Sequence, residues 1–163
     1  MIELRKISIL DENVQECIEL EVLPEQTRFV GHNASSLGSA YAANSVRGLG
    51  SRAMPYAIYA GGKMVGFIMY AFLKPEYDDE YGIGSDYYYF WRFMIDKNHQ
   101  GKGYGKAALE ELIKEIKSKP CGDAEYLIVS YVPDNSIKNL YFSFGFEETG
   151  DVVDGEAVAK LKL

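Results

Sequence analysis

The chain has 163 residues, 47% hydrophobic and 25% charged, enough to bury a sizeable core in one globular domain spanning residues 1–163. Its net charge of -7 opposes nonspecific attraction to nucleic acid or an anionic membrane and suits a cationic partner. No apolar run reaches membrane-spanning length, and the opening MIELRKISIL mixes charged with apolar residues; Cys17 and Cys121 lack CxxC spacing, so a cytoplasmic protein without disulfide framework or metal site is expected.

Ile2 to Ile7 alternates apolar and charged side chains, the pattern of a half-buried strand. From Asp11, DENVQECIELEV offers an aspartate N-cap and then Val14, Ile18 and Val22 at fourfold spacing, so the segment is predicted as an amphipathic helix ended by Pro24. Asn33 to Val46 is predicted as a second helix capped by Ser35 or Ser36, with Leu37 and Tyr41 on one face. Two β-rich runs within Tyr56 to Leu73 flank Gly61-Gly62 and read as an antiparallel hairpin. A third run, DYYYFWRFMI, follows a loop, Lys74 to Asp86, dense in acids and tyrosines. Then YGKAALEELIKEIKSK carries Ala108, Leu109, Leu112, Ile113 and Ile116 as a helical stripe, with Glu111 and Glu115 placed to pair with lysines. The strand AEYLIVSYV, the helix NSIKNLYFSFGF and a strand pair turning at Asp154-Gly155 complete the chain. This order predicts an α/β fold, a mixed central sheet with helices on both faces.

Between the third β-rich run and the striped helix stands HQGKGYGK, His99 to Lys106. Its glycines fall at a helix N-terminus, where unpaired amides and the positive end of the helix dipole together bind phosphate. Gly101, Gly103 and Gly105 remove the β-carbons that would hold an anion away from those amides, and Lys102 and Lys106 add charge at the rim. Neither a Walker loop nor a dinucleotide fingerprint reads out in register. A plain strand-to-helix turn remains the alternative on this stretch alone.

The run Gln100-x-x-Gly103-x-Gly105 matches the pyrophosphate loop of the GCN5-related N-acetyltransferases, and NSIKNLYFSFGF looks like that family's N-x(5)-Y-x(3)-GF helix. Three segments, LPEQTRFVGHNASSLGSAY, GFIMYAFLKPEYDDE and RFMIDKNHQGKGYGKAAL, resemble more closely the bacterial spermine/spermidine acetyltransferases of the same superfamily. The resemblance implies a sheet of about six to seven strands with a splay between its central strands. It implies acetyl-CoA as cosubstrate, with Gln100 to Lys106 and Asn135 contacting it and the backbone of Phe93, Met94 and Ile95 holding its pantetheine arm. It implies a homodimer as the commoner state.

Acetyl transfer to an amine needs a neutral nucleophile, a polarised thioester carbonyl and a proton for the leaving thiolate. The resemblance gives the carbonyl to the Met94 amide and the thiolate proton to Tyr141, whose phenol titrates near pH 10 when unperturbed. Glu76, Asp78, Asp79, Glu80 and Asp86 crowd the acidic loop, which the implied fold sets beside the acceptor channel; a carboxylate, directly or through water, is the expected proton acceptor, with Glu80 the candidate and the others left open. Several carboxylates suit a polycation, and Tyr77, Tyr81, Tyr87 and Tyr89 offer faces for its methylenes and charges. Glu25 and Gln26 are expected to wall the acceptor site, whereas His99 is expected at the rim and not as a base. Alternation sends Trp91 and Arg92 to opposite faces without saying which goes where. The expected activity is acetylation of spermidine or spermine by direct attack in a ternary complex. An aminoglycoside, an amino acid or a peptide N-terminus stays open as acceptor, as does a sensor without turnover.

Overall fold

The computed structural model describes residues 1–46, 52–76 and 79–163. The strands are β1 (Ile2–Lys6), β2 (Arg52–Ala60), β3 (Lys63–Leu73), β4 (Tyr87–Ile95), β5 (Tyr126–Tyr131), β6 (Glu147–Val153) and β7 (Glu156–Lys162). Helix α1 (Val14–Glu19), a 3₁₀ turn at Pro24–Gln26 and α2 (Asn33–Ser45) lie between β1 and β2, α3 (Tyr104–Lys117) follows β4, and α4 (Lys138–Ser143) follows β5. The seven strands form one sheet in the order β1-β2-β3-β4-β5-β7-β6. Neighbours are antiparallel except β4 and β5, which run parallel and need α3 as their crossover.

Helices cover both faces, so β3 is buried along nearly its whole length and reads as a continuous apolar run. On one face Ala108, Leu109, Leu112, Ile113 and Ile116 of α3 pack with Ile58, Ile68, Phe90 and Leu127, in the positions that the helical stripe predicts. On the other, Cys17 and Ala40 from α1 and α2 meet Ala57, Phe67 and Met69. The hairpins at Gly61-Gly62 and Asp154-Gly155 form where expected.

The first helix is shorter than its pattern. It begins after Asn13, whose Oδ1 accepts from the Ser8 amide (3.1 Å) and whose Nδ2 donates to the Lys6 carbonyl (3.0 Å). Asp11, the expected cap, instead accepts from the Ser8 hydroxyl. Leu20 is already extended, so Val22 lies beyond the helix. In α2 the cap is His32, whose Nδ1 accepts from the Ala34 amide at 3.1 Å, and not Ser35 or Ser36. Asn33, Ser36 and Ala40 face inward while Tyr41 is 78% exposed, because small residues let this helix pack closely on the sheet. On α3, Glu111 pairs with Lys114 as expected, but Glu115 accepts from the Tyr56 hydroxyl (3.1 Å). Burial and the Glu115 charge push that phenol up to about 12.

Two irregularities of β4 shape the site. Met69 pairs with Arg92 and Tyr70 with Phe90, which leaves Trp91 as the extra residue of a bulge. Tyr88 and Phe90 before it, and Phe93 and Ile95 after it, all serve the α3 side, a change of parity that the bulge accounts for. Second, β4 and β5 pair only at Tyr88–Leu127, Tyr89–Ile128 and Phe90–Val129. Beyond these, Arg92 to Ile95 stays with β3 while Ser130 and Tyr131 stay with β7, so the two central strands splay.

Candidate active site

The splay opens into a cavity of about 690 Å³. At one end lies the glycine loop: Gln100, Gly101, Gly103, Tyr104 and Gly105 all line the wall. Gly103 stands at the N-cap of α3 with φ of 79°, a left-handed conformation that side chains with a β-carbon adopt only under strain. Among the described residues the amides from Gly101 to Gly105 have no hydrogen-bond acceptor, and the first turn of α3 holds no carboxylate. Donors without acceptors, aligned with the helix dipole and open to a cavity, fit a pyrophosphate. Lys102 and Lys106 are exposed and do not line the cavity; Lys102 Nζ donates to the Asn98 carbonyl at 3.1 Å.

The Gln100 side chain is engaged elsewhere. Its Nε2 donates to Gln26 Oε1 (2.7 Å) and to the Ile95 carbonyl (2.9 Å), and Gln26 Oε1 also accepts from the Leu23 amide (3.1 Å). These bonds tie the 3₁₀ turn to the glycine loop, so Glu25 and Gln26 become part of the same cavity wall.

Phe93, Met94 and Ile95 line the cavity, but their peptide groups do not face the same way. The Asp96 amide donates to the Val65 carbonyl, and the Met94 carbonyl lies on the Gly66 side of the strand, only 2.4 Å from where a β-carbon on Gly66 would stand. Alternation along a strand therefore turns the Met94 amide toward β3 and the Phe93 and Ile95 amides toward the splay. The carbonyl-binding amide expected at Met94 is corrected accordingly.

Tyr141 reaches the cavity from α4 and is 5% exposed. Its ring lies 5.8 Å from Phe90, 5.9 Å from Tyr131 and 5.7 Å from Phe146. Its hydroxyl has no hydrogen-bond partner among the described residues. Burial, and after it the charges of Tyr89 and Glu156, raise its pKa above the ordinary tyrosine value, so the phenol keeps its proton. Asn135 also lines the cavity, and its Oδ1 accepts from the Ile137 amide (3.1 Å) ahead of α4.

The acidic loop is divided. Glu80 lines a second cavity of about 320 Å³, with Tyr81, Tyr89, Trp91, Ser130, Asp154 and Glu156. The two cavities share Tyr89, Trp91, Ser130 and Glu156 and so adjoin. Asp79 lines neither; its Oδ1 accepts from the amides of Ile83 (2.7 Å) and Gly84 (3.2 Å) and shapes the loop itself. Glu76 is exposed and, like Asp86, lines neither cavity, while Tyr77 and Asp78 lie outside the described residues. Ser130, Asp154 and Glu156 are site residues that the sequence did not suggest as such.

His99 lines the main cavity near the loop, with Nδ1 3.3 Å from Asp96 Oδ1. Asp96 is buried and also accepts from the amides of Glu21 (3.1 Å) and Asn98 (2.9 Å). Burial alone would raise its carboxyl, but these hydrogen bonds outweigh it and hold the pKa below the ordinary value. A lowered folded-state pKa stabilises the fold at pH above the unfolded value near 4, and that stabilisation is lost as pH falls through the folded value. Asp96→Asn is expected to cost about 1–3 kcal/mol near pH 7. Its melting temperature falls below that of the wild type there, and the gap narrows below about pH 4; a gap independent of pH in thermal denaturation would contradict this account.

The sequence profile of the Acetyltransferase (GNAT) family matches residues 23–146. A probable spermine N(1)-acetyltransferase of Bacillus subtilis subsp. natto is 31% identical over 159 residues, covering 96% of each chain. A spermine/spermidine N(1)-acetyltransferase of Bacillus subtilis is 30% identical over 159 residues, with the same coverage of both chains. Among solved structures, an aminoglycoside acetyltransferase in complex with coenzyme A and kanamycin superimposes with a TM-score of 0.72 at 16% identity, covering 99% of this chain and 95% of that one. The splayed sheet, the open amide loop and a profile match over most of the chain agree: the protein belongs to the Acetyltransferase (GNAT) family, with acetyl-CoA as its acyl donor.

Proposed function

We propose that the chain is an N-acetyltransferase for a small polycation, spermidine or spermine, whose primary amine attacks the donor thioester directly in a ternary complex. The observation that carries the reading is the junction of the two cavities. One presents the amide loop and Tyr141; the other, across Tyr89 and Trp91, presents Glu80, Asp154 and Glu156. Tyr81 and Tyr89 lie 5.1 Å apart and Tyr89 and Trp91 6.5 Å apart, an aromatic wall suited to methylenes and to cation–π contact. An extended cation entering the splay keeps its distal charge near the half-buried Glu156 and the exposed Glu80 and Asp154, an attraction that added salt weakens. The names of the two Bacillus relatives support the same acceptor class.

In this reading the Gly101 to Gly105 amides hold the pyrophosphate, the Phe93 or Ile95 amide polarises the carbonyl, and Tyr141 protonates the departing sulfur. The pantetheine arm lies between β4 and β5.

A second reading is favoured by Arg92. It lines the main cavity, its Nη1 donates to the Trp91 carbonyl (2.9 Å), and its buried Nε has no partner among the described residues. An unpaired guanidinium donor favours an acceptor that also bears a carboxylate. Thiol release with spermidine, spermine, kanamycin and a lysine peptide separates the readings. The polyamines are expected to give a kcat/KM at least about 10-fold above the others, equivalent to about 1.4 kcal/mol of differential transition-state binding. Preference for the peptide would favour the carboxylate reading and overturn the first.

A further inference from the structure

β4 carries no carboxylate, and the carboxylates near the splay differ in reach. Asp96 is held by the amides of Glu21 and Asn98, Glu25 belongs to the 3₁₀ turn, and Glu80 lines only the side cavity. Glu156, the first residue of β7, lines both cavities. Its Oε2 accepts from Ser130 Oγ at 2.5 Å, and Ser130 Oγ lies 2.9 Å from the Tyr89 hydroxyl. Ser130 has a single proton and gives it to Glu156, so the Tyr89 hydroxyl is the donor to Ser130. Both hydroxyl protons are therefore donated in the same sense, from Tyr89 to Ser130 and from Ser130 to the carboxylate.

We infer that Glu156 is the proton acceptor for the attacking amine, reached through the Tyr89 and Ser130 hydroxyls at the junction of the two cavities. The inference rests on the acetyltransferase reading but not on a polyamine as the acceptor. The ammonium gives a proton to the Tyr89 oxygen as Tyr89 passes its own to Ser130 and Ser130 passes its own to Glu156. The neutral nitrogen then bonds to the thioester carbonyl carbon, the carbon–sulfur bond breaks, and Tyr141 gives its proton to the sulfur. The second proton leaving nitrogen restores Tyr141, and Glu156 releases the first to solvent. An ammonium and acetyl-CoA thus yield an amide, coenzyme A and one proton.

The titratable and charged groups sharing these walls with Glu156 are Tyr89 and Arg92 on β4, Tyr81 and Glu80 before it, Tyr131 on β5, Tyr141 on α4 and Asp154 in the β6–β7 turn, with Glu25 and Arg28 at and after the 3₁₀ turn and His99 and Tyr104 at the glycine loop. Tyr131 donates to Glu148 at 2.6 Å and is occupied outside the relay. A free amine needs no base, so the requirement for Glu156 must fade as pH approaches the amine pKa of about 10.

The test compares wild type, Glu156→Gln and Ser130→Ala from about pH 6.5 to 10, using whichever amine of the panel the wild type turns over fastest. That choice of amine judges the polyamine reading separately. Glu156→Gln is expected to lower kcat about 100-fold at pH 7, with the deficit shrinking to less than about 10-fold near pH 10. Acetyl-CoA affinity and melting temperature stay close to wild type. Ser130→Ala, which keeps the carboxylate and breaks the relay, follows the same pH pattern and serves if Glu156→Gln fails to fold. An unchanged kcat, or a deficit of the same size at every pH, would overturn the assignment.

Discussion

Replacing Tyr141 by phenylalanine is expected to lower kcat by about 100-fold, the range of a single general acid, while acetyl-CoA affinity stays nearly unchanged. The substitution is clean because the ring contacts with Phe90, Tyr131 and Phe146 persist and the hydroxyl leaves no described partner unsatisfied. Burial raises the phenol pKa, so its proton is present across the working pH range and goes to a developing thiolate and not to water. Initial rates and direct binding decide the matter together. Equal loss of turnover and of binding would assign Tyr141 to the wall of the cavity and remove it from proton transfer.

Gly103→Val is expected to do the converse, raising the acetyl-CoA dissociation constant by about 10- to 100-fold, or about 1.4–2.8 kcal/mol. Two causes act together. At φ of 79° a β-branched residue costs about 1–2 kcal/mol of backbone strain. In addition, no atom stands within 4 Å of a β-carbon built there, so the new side chain adds bulk in open space beside the unpaired amides, where an anion would approach. Calorimetric titration is the check, with melting temperature as control. Full affinity in a folded variant would contradict the pyrophosphate role of the loop.

What the sequence made legible follows from the range of the interactions involved. The α3 stripe, the two hairpin turns and the glycine loop are local patterns, and each recurs in the structure at its expected place. The first helix ends early because its boundary is set by Asn13 bonding back to β1, a contact that periodicity does not encode. The same limit governs β4. Alternation does not foresee the bulge at Trp91, which changes the parity of the strand, and the Met94 amide, which the resemblance assigns to the thioester carbonyl, turns to β3.

Ser130 and Glu156 were illegible for a different reason. They lie 26 positions apart and meet because β5 and β7 are neighbours in the sheet, an adjacency that the linear order of strands does not disclose. Glu80 illustrates the converse, since proximity in the acidic loop grouped it with Asp79, Glu76 and Asp86, none of which shares its cavity.

The central claim is that acetyl passes from acetyl-CoA to an amine held at the splay, without resting on the protein. Thiol release by the wild-type protein, without amine and with each of spermidine, spermine, kanamycin and a lysine peptide, followed in parallel by mass spectrometry of the amine and of the intact chain, tests it most directly. The expected result is amine-dependent release with one acetylated amine per thiol and an unmodified chain. Release without amine accompanied by an acetylated chain, or acetyl-CoA binding with no release under any amine, would contradict it.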